Sequence, residues 1–521
     1  MPPFQQTQTE EIDHREEALG PGWVPARTPG PAPERWEQGI CPSGNKRVAA
    51  SAIVQAILKA QRQVLLSSFL LSDEQIANAL FEVSSKRGVR VYVLNAAEAR
   101  LEKEPREDSE FDRDTYEAHK QLMNRLAGHV LFRTAKSFHA KVVLVDAPSG
   151  EGYLLTANLT SKALERNEEL AVRLTPAECE QVRGWLAYAF WEGAEHEMTA
   201  PGALEAVRAP GWVRCPEPAG NVFATASGHT GLSKAILGIV ERARGQLVVT
   251  SFGWAKDHPV VQRIIERARQ GLKVTVLARI RPVAMPALLA LREAGATVLG
   301  FAWLHAKVAW NDMGEAIVTS ANLEPHGLDE GFELGVLLTG ARAQAVASLL
   351  AAWASGARAS LVLGLKVGSV LGPVEIWRGG KSLEKLMVEA TREVDLGRVV
   401  AESATRLESP APRLPSPEAG KFFQRTVKRW TIEAPVLDKG AKEVLREVQV
   451  EEEVADEKEA KAKGAKGKAE KKVKTKKVPH EPPLFRETNG RIVVAVSKPE
   501  QIDAAFAYGR QHGATAVVRR P

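Results

Sequence analysis

Two stretches of this chain repeat each other at a fixed distance, and a repeat of that length confines the fold to two like halves. Gln63–Phe69 matches Gln246–Phe252, and Lys86–Leu94 matches Arg269–Leu277, both at an offset of 183 residues. Farther on the offset shrinks. Phe138-His139-Ala140-Lys141 matches Leu304-His305-Ala306-Lys307 at 166, and Asn158 and Glu169 match Asn322 and Glu333 at 164. The first copy therefore carries 17 more residues before its histidine, assigned to the acidic Glu102–Tyr116 stretch, and two more after Asp146.

Each copy opens with a helix-period segment, Val48–Arg62 or Leu232–Arg244, whose apolar stripe is Ile53, Ile57 and Leu58 or Ile236, Ile239 and Val240. A short apolar strand follows, then a helix ending near Gly88 or Gly271, a second strand, a helix ending at Gly128 or Gly295, and the His-Ala-Lys strand. Alternation of this kind predicts an α/β class, here two tandem lobes packed as a pseudo-dimer. The expected organisation is a disordered segment over 1–44, a first lobe over 45–199 and a second over 200–340. A helical and strand extension follows over 341–400, with Ala343–Leu365 as a buried helix running into a strand and Lys381–Arg392 as a further helix. Residues 401–485 read as linker and lysine-rich tether, and 486–521 as a small strand-helix-strand segment.

Composition narrows the setting. Cys41, Cys179 and Cys215 are far apart without C-x-x-C spacing, so neither a disulfide framework nor a metal site is expected, and a reducing, cytoplasmic environment fits. Met1–Arg35 has no apolar stretch of signal-peptide type, and the most apolar window is broken by Gly356 and Arg358, so no integral membrane association is expected. The net charge is only +6. Lys458–Lys477, however, holds ten lysines against two glutamates, a composition suited to a tether that attracts polyanions.

The paired motifs carry the chemistry. On a strand running from His139 to Val145, His139 and Lys141 share a face and Asp146 lies on the other. A lysine offsets phosphate charge while a neutral imidazole supplies a nitrogen nucleophile. Asn158 or Asn322, placed on the next strand, donates hydrogen bonds to a nonbridging oxygen. One such pair leaves a departing alkoxide without a proton. Two pairs face to face supply both, one histidine attacking and the other acting as acid and then as base for water, with Glu169 and Glu333 each orienting an imidazole. No cofactor or metal ion enters this scheme, and one chain suffices for one site.

These motifs resemble the phospholipase D superfamily pattern, H-x-K-x4-D followed by G-S-x-N. His139, Lys141 and Asp146 fit its first part, as do His305, Lys307 and Asp312. Asn322 falls at the family spacing after Ser320, and Asn158, after Thr156, arrives two residues late. Leu155 and Thr319 occupy the glycine position. The resemblance covers roughly residues 45–340. It implies a phosphohistidine on His139, His305 as acid and structural roles for Asp146 and Asp312. The residues themselves do not distinguish the two histidines. His119, His129, His196, His229, His258 and His326 lack a partner pattern and are assigned packing or surface roles. Trp254 and Trp303 serve either as stacking platforms in the cleft or as core.

Substrate selection rests on the basic tether and on Ala157–Leu164 with Asn167–Val172, which resemble nuclease-like members of the superfamily. The leading expectation is a metal-independent phosphodiesterase acting on DNA or RNA, with a helicase or other processing partner recruited by the C-terminal region. The alternatives are a phospholipase D acting on phosphatidyl lipids and a noncatalytic nucleic-acid scaffold. Deleting residues 458–477 is expected to weaken nucleic-acid binding and flatten its salt dependence while leaving turnover at saturation intact, as read by binding isotherms at several salt concentrations.

Overall fold

Short runs of Val, Leu and Ile between glycine-terminated helices form the strands of two sheets, and the repeat is visible in how those strands are ordered. The computed structural model describes residues 8–11, 18–26, 32–96, 113–226, 228–366 and 372–389, with isolated strands beyond. Most of the 17-residue insertion, most of the 401–485 linker and most of the lysine tract lie outside the described residues, with strands described at Thr431–Pro435, Gln449–Glu451 and Val473–Thr475. Two compact units divide the chain, the larger taking in Pro25–Leu363 and Gly380–Ser382.

The first lobe of that unit runs β1 (Ile40–Pro42), α1 (Val48–Lys59), β2 (Gln63–Ser67), α2 (Glu74–Arg87), β3 (Arg90–Ala96), α3 (Arg113–Leu126), β4 (Leu131–Ala135), β5 (Val142–Val145), β6 (Glu151–Leu155), β7 (Leu170–Arg173), α4 (Pro176–Glu192), β8 (His196–Ala200) and β9 (Ala203–Ala206). The second runs β10 (Val222–Ala226), α5 (Gly231–Arg242), β11 (Gln246–Ser251), α6 (Pro259–Arg269), β12 (Lys273–Arg279), α7 (Met285–Glu293), β13 (Thr297–Phe301), β14 (Val308–Asn311), β15 (Glu315–Thr319), β16 (Glu333–Thr339), α8 (Gly340–Ser355) and β17 (Ala359–Lys366). The first sheet is ordered β9-β8-β4-β3-β2-β5-β6-β7-β1, and the second contains β17-β13-β12-β11-β14-β15-β16-β10.

From β4 to β1 and from β13 to β10 the two orders are the same. Register agrees as well: Gln63 faces Arg90 as Gln246 faces Lys273, and Val64 faces Val145 as Leu247 faces Asn311. The two-residue offset change is a hairpin difference, five residues joining β5 to β6 and three joining β14 to β15. Helix ends follow local chemistry. Asp73 caps α2 by accepting from the Ile76 N–H, Gly88 closes it in the left-handed region at φ 67°, and Thr175 and Glu178 form a capping box on α4.

Alternation along β5 serves two cores. Val143 and Val145 pack with Ile53, Ile57, Leu80 and Met123 of the helices covering the outer face. Val142 and Leu144 turn instead to a central core shared by both lobes, where Val182, Trp185 and Leu186 of α4 meet Val318, Leu334 and Val336 of the second sheet and Val346, Leu350 and Trp353 of α8. Burial of this apolar surface fixes the two sheets against each other.

Four expectations are corrected. The second lobe does not end at 340, because α8 and the start of β17 complete it as far as Leu363. Lys381–Arg392 forms a strand over Glu384–Glu389, not a helix, pairing antiparallel with Gly372–Ile376 and burying Leu386. The first 44 residues include strands at Ala18–Pro25 and Ile40–Pro42, with Leu19, Trp23, Ile40 and Cys41 buried. The His-Ala-Lys segment precedes its strand in both lobes, since β5 begins at Val142 and β14 at Val308. The smaller unit takes in Met1–Val24, Gly364–Gly379 and Leu383–Pro521, within which Gly22 and Trp23 pair with Ile376 and Glu375.

The motif aspartates tie each hairpin to the preceding turn. Asp146 accepts from the backbone N–H groups of Gln61, Arg62 and Gln63 at 2.7, 2.8 and 2.9 Å, and Asp312 from Arg244 and Gly245 at 2.9 and 2.7 Å. Partial burial opposes ionisation of Asp146, but these N–H donors outweigh it and hold the carboxyl below its usual range. A depressed carboxyl stabilises the fold above the unfolded-state pKa, and that contribution disappears as pH falls through the folded value. Asp146→Ala is expected to cost about 1–2 kcal/mol in urea unfolding at neutral pH, the difference shrinking below about pH 4. Equal stability of variant and parent at neutral pH would contradict the structural role.

Candidate active site

The residue before each motif glutamate grips the opposite lobe through its backbone. The Phe332 carbonyl accepts from the N–H groups of His139 and Ala140, both at 3.1 Å, and Phe332 N–H donates to Ser137 O at 2.7 Å. In the mirror position the Glu168 carbonyl accepts from His305 N–H at 3.1 Å and Ala306 N–H at 2.9 Å. The Phe138 and Phe332 rings stack at 5.0 Å across the same seam. Backbone bonds to the other lobe, rather than strand alternation, therefore position His139 and His305.

The next residue completes the grip with its side chain. His139 Nδ1 lies 2.7 Å from Glu333 Oε1, and His305 Nδ1 lies 2.7 Å from Glu169 Oε1. Each imidazole is thus oriented by the glutamate of the opposite repeat, a crossing that equal offsets do not reveal. The second oxygen of each carboxylate stays at home: Thr156 Oγ1 donates to Glu169 Oε2 at 2.6 Å, and Ser320 Oγ donates to Glu333 Oε2. The hydroxyl two positions before each asparagine, unassigned from sequence, is accounted for by this bond.

Both lysines are buried beside their histidines. Lys141 Nζ donates to His139 O at 2.6 Å. Lys307 Nζ donates to His305 O and lies 2.7 and 2.9 Å from the two ring nitrogens of His305. Asn158 and Asn322 do not sit on the next strand. Each follows its strand by three residues, after Leu155 and Thr319, so the late arrival of Asn158 in the sequence vanishes in the structure. Asn158 is buried, and Asn322 is half-buried and donates from Nδ2 to Glu324 Oε1 at 3.1 Å. Leu155 and Thr319, at the glycine position, are the buried last residues of β6 and β15.

His139, Lys141, Glu169, His305, Lys307 and Glu333 therefore meet at this seam, while Asn158 and Asn322 lie two residues past the hydroxyls that hold the carboxylates. Burial is the strongest influence on His139, pushing its imidazolium well below the ordinary range, and Lys141 and Lys307 add to the depression while Glu333 opposes it. That Lys307, from the second lobe, acts on His139 shows that the two half-sites share one electrostatic environment. Burial also works against ionised Glu333, yet its interactions with His139, Lys141 and Ser320 keep it below the usual carboxyl range.

Several contributors carry no signal in the motif pattern. Phe69 packs edge-on against His139 at 5.2 Å and Phe252 against His305 at 4.9 Å, both in the repeated strand-end Ser-Phe that marks the duplication. Trp254 is core, its Nε1 donating to Ser251 O at 2.8 Å. Trp303 is half-buried with the Arg166 guanidinium 3.6 Å from its ring centre. His119 is buried against the Leu71 backbone, and His258 caps α6. Among the described residues no group of three His, Cys, Asp or Glu side chains is arranged to hold a metal ion, and no helix is long and apolar enough to cross a membrane.

Residues 53–188 match the family model described as cardiolipin synthase, PLD-like domain, so the first lobe is a phospholipase D-like domain. No curated protein matches the chain in sequence. Among solved structures, phosphatidylserine synthase from Haemophilus influenzae is 14% identical with a TM-score of 0.47, covering 66% of this chain and 90% of that one. Polyphosphate kinase from Porphyromonas gingivalis is 14% identical with a TM-score of 0.39 over 58% of this chain, which spans less than half, 44%, of that protein. The phospholipase D family member Nuc from Salmonella typhimurium is 22% identical with a TM-score of 0.24, covering 30% of this chain and 95% of that one.

The depressed His139 pKa yields a direct check. Nitrogen-detected NMR should find its imidazole neutral throughout pH 5–8, about where an ordinary histidine titrates, with the proton on Nδ1 facing Glu333. Glu333→Gln removes the influence that favours the charged ring and should lower the pKa further. A His139 titration near pH 6.5 would overturn this electrostatic description.

Proposed function

We propose that this chain, whose first lobe is a phospholipase D-like domain, is a phosphodiesterase that works through a phosphohistidine and acts on nucleic acid. The observation that carries the reading is the crossing of the carboxylates, which makes two histidine-lysine pairs interdependent parts of one site. In the proposed cycle Nε2 of neutral His139 attacks phosphorus, forming a P–N bond as the P–O bond to the leaving group breaks. Protonated His305, its Nδ1 held by Glu169, gives a proton to the departing oxygen. Neutral His305 then takes a proton from water, whose oxygen attacks phosphorus, and the P–N bond breaks to restore His139.

The surrounding groups suit that cycle. Lys141 and Lys307 offset the charge that builds on the nonbridging oxygens, in a buried setting where the interaction is stronger than in water. Asn158 and Asn322 donate to the same oxygens. Glu333 and Glu169 fix ring orientation before substrate arrives, which removes a reorganisation cost from the reacting state. An attacking nitrogen must be unprotonated, which burial and two lysines favour at His139, but Lys307 also adjoins the ring of His305, so the choice of His139 as nucleophile follows the family resemblance.

Nucleic acid is favoured by the composition of the lysine tract, whose ten ammonium groups would displace the counterions condensed on a polyphosphate backbone. A second reading, transfer or hydrolysis on phosphatidyl lipids, is favoured by the matched family's description, and an alcohol in place of water would serve the second step equally. Assays in EDTA on labelled single-stranded DNA, duplex DNA, RNA and phosphatidylcholine separate the two. Cleavage of lipid without cleavage of any nucleic acid would reverse the preference. Inertness towards all four, with retained DNA binding, would point to a scaffold.

The unequal histidines have their own signature. On natural diesters His139→Ala and His305→Ala should each lose at least about a thousandfold in kcat. With a p-nitrophenyl ester, whose leaving group needs little protonation, His305→Ala should still release a burst of nitrophenolate and accumulate phosphoenzyme. His139→Ala should give neither. A burst from His139→Ala in place of His305→Ala would exchange the two roles.

A further inference from the structure

The twofold likeness of the lobes breaks down beside His305. The Phe252 ring that packs on His305 has the Arg281 guanidinium 4.0 Å from its centre and that of Arg279 at 5.3 Å. Arg279 also lies 4.9 Å from the centre of the Trp303 ring, over which Arg166 stacks at 3.6 Å. A continuous band of three guanidiniums and two rings therefore leads away from one histidine. Arg279 is buried, Arg281 and Trp303 are half-buried, and Arg166, from the first lobe, is exposed.

Beside His139 the Phe69 ring packs instead with Tyr116, over which Lys120 Nζ stands at 4.4 Å, so a lysine on a tyrosine takes the place of the arginine band. At the repeat offsets the first lobe carries Ala96, the last residue of β3, where the second carries Arg279, the last residue of β12. It likewise carries Ser137 where the second carries Trp303. Glu168 is the carboxylate that senses Arg279 and Arg166, and the carbonyl of the same residue binds His305 N–H and Ala306 N–H. The band is thus anchored to the backbone that sets His305. Stacking on aromatic rings holds guanidiniums in fixed planes with edge N–H groups suited to phosphate oxygens.

We propose that this band is the subsite for the leaving side of a polymeric substrate, where Arg281 and Arg166, backed by Arg279 and organised on Phe252 and Trp303, hold the phosphate next to the scissile one. The assignment rests on the two-histidine cycle above. An in-line displacement with His139 attacking sends the leaving group towards His305, so the strand portion beyond the departing oxygen meets the band. The portion retained as phosphohistidine lies on the His139 side, where Ala96 stands in place of Arg279. A chain of repeating phosphates engages this subsite, whereas a substrate with one phosphodiester does not.

The test compares the parent with a double variant, Arg166→Gln and Arg281→Gln, on a single-stranded DNA oligonucleotide and on bis(p-nitrophenyl) phosphate. Removing two charge-assisted hydrogen bonds to phosphate should lower kcat/KM on the oligonucleotide by about a hundredfold, mainly through KM. The salt dependence should fall by about 0.7 log units per log salt for each phosphate that the variant no longer neutralises. Turnover of bis(p-nitrophenyl) phosphate should be unchanged, which also controls for folding. Equal declines on both substrates, or no decline on the oligonucleotide, would overturn the subsite. Should the parent cleave neither compound, the proposed activity fails separately, and anisotropy with the labelled oligonucleotide decides the band: a flatter salt slope in the double variant supports it, and identical isotherms overturn it.

Discussion

Two buried imidazole–carboxylate pairs, each spanning the seam between the lobes, are the constraint on which the rest of this structure depends. His139, Lys141, Glu169, His305, Lys307 and Glu333 are all withdrawn from water. Desolvating so many polar and ionisable groups is unfavourable unless each finds a partner. The partners exist only when both lobes are present, because Glu333 serves His139 and Glu169 serves His305. A lobe alone would leave its own histidine without a carboxylate and its own carboxylate with only a hydroxyl. The lobes are therefore not two independent domains that happen to touch, and the shared apolar core between their sheets is what holds the seam closed.

Such a cluster is a poor source of net stability, since well-packed apolar residues would fill the same space at lower electrostatic cost. Its value lies in preorganisation. The main-chain bonds from Phe332 and Glu168 set the position of each histidine backbone, the carboxylates set ring orientation, and Thr156 and Ser320 set the carboxylates. Each imidazole that would meet phosphorus is thus held by groups that do not, and little remains to reorganise in the rings when charge develops. The aspartates stand outside this arrangement, at the far ends of β5 and β14, where they secure the strands carrying the motifs.

Much of this is legible in the sequence, for identifiable reasons. Parallel offsets at Gln63 and Gln246 predict equal strand order because like sequences satisfy like backbone registers. The shift from 166 to 164 predicts a longer hairpin, found between β5 and β6. What the sequence does not convey is pairing across the seam. An offset equates Glu169 with Glu333, but which histidine each faces is decided by how the lobes close, a tertiary property with no local signature. The start of β5 departs from simple alternation for the same reason, as backbone donors that alternation would give to a neighbouring strand go to Phe332 instead. Glu384–Glu389 shows the ambiguity of short apolar runs, since Leu383, Leu386 and Met387 have the spacing of one helix face although the run forms a strand that buries Leu386. Trp23 is hidden in a proline-rich segment whose composition resembles disorder although individual apolar residues are buried.

Duplication accounts for the site's frame, and departure from duplication accounts for its direction. A phosphodiester under in-line attack is not symmetric: one side departs and the other stays bound to the nucleophile. Two identical half-sites would bind that substrate equally well in both orientations, either histidine attacking while the other serves as acid. Unequal surroundings remove the degeneracy. Both imidazoles are buried beside a lysine, but the Phe252 ring on His305 carries arginines whereas the Phe69 ring on His139 meets Tyr116 and Lys120. Arg279 and Trp303 in the second copy, where the first has Ala96 and Ser137, convert a pseudo-twofold cleft into one with a defined entry side. Specificity of this kind needs few substitutions, because the scaffold already places both ends of the reaction coordinate, and only the groups just beyond it must differ.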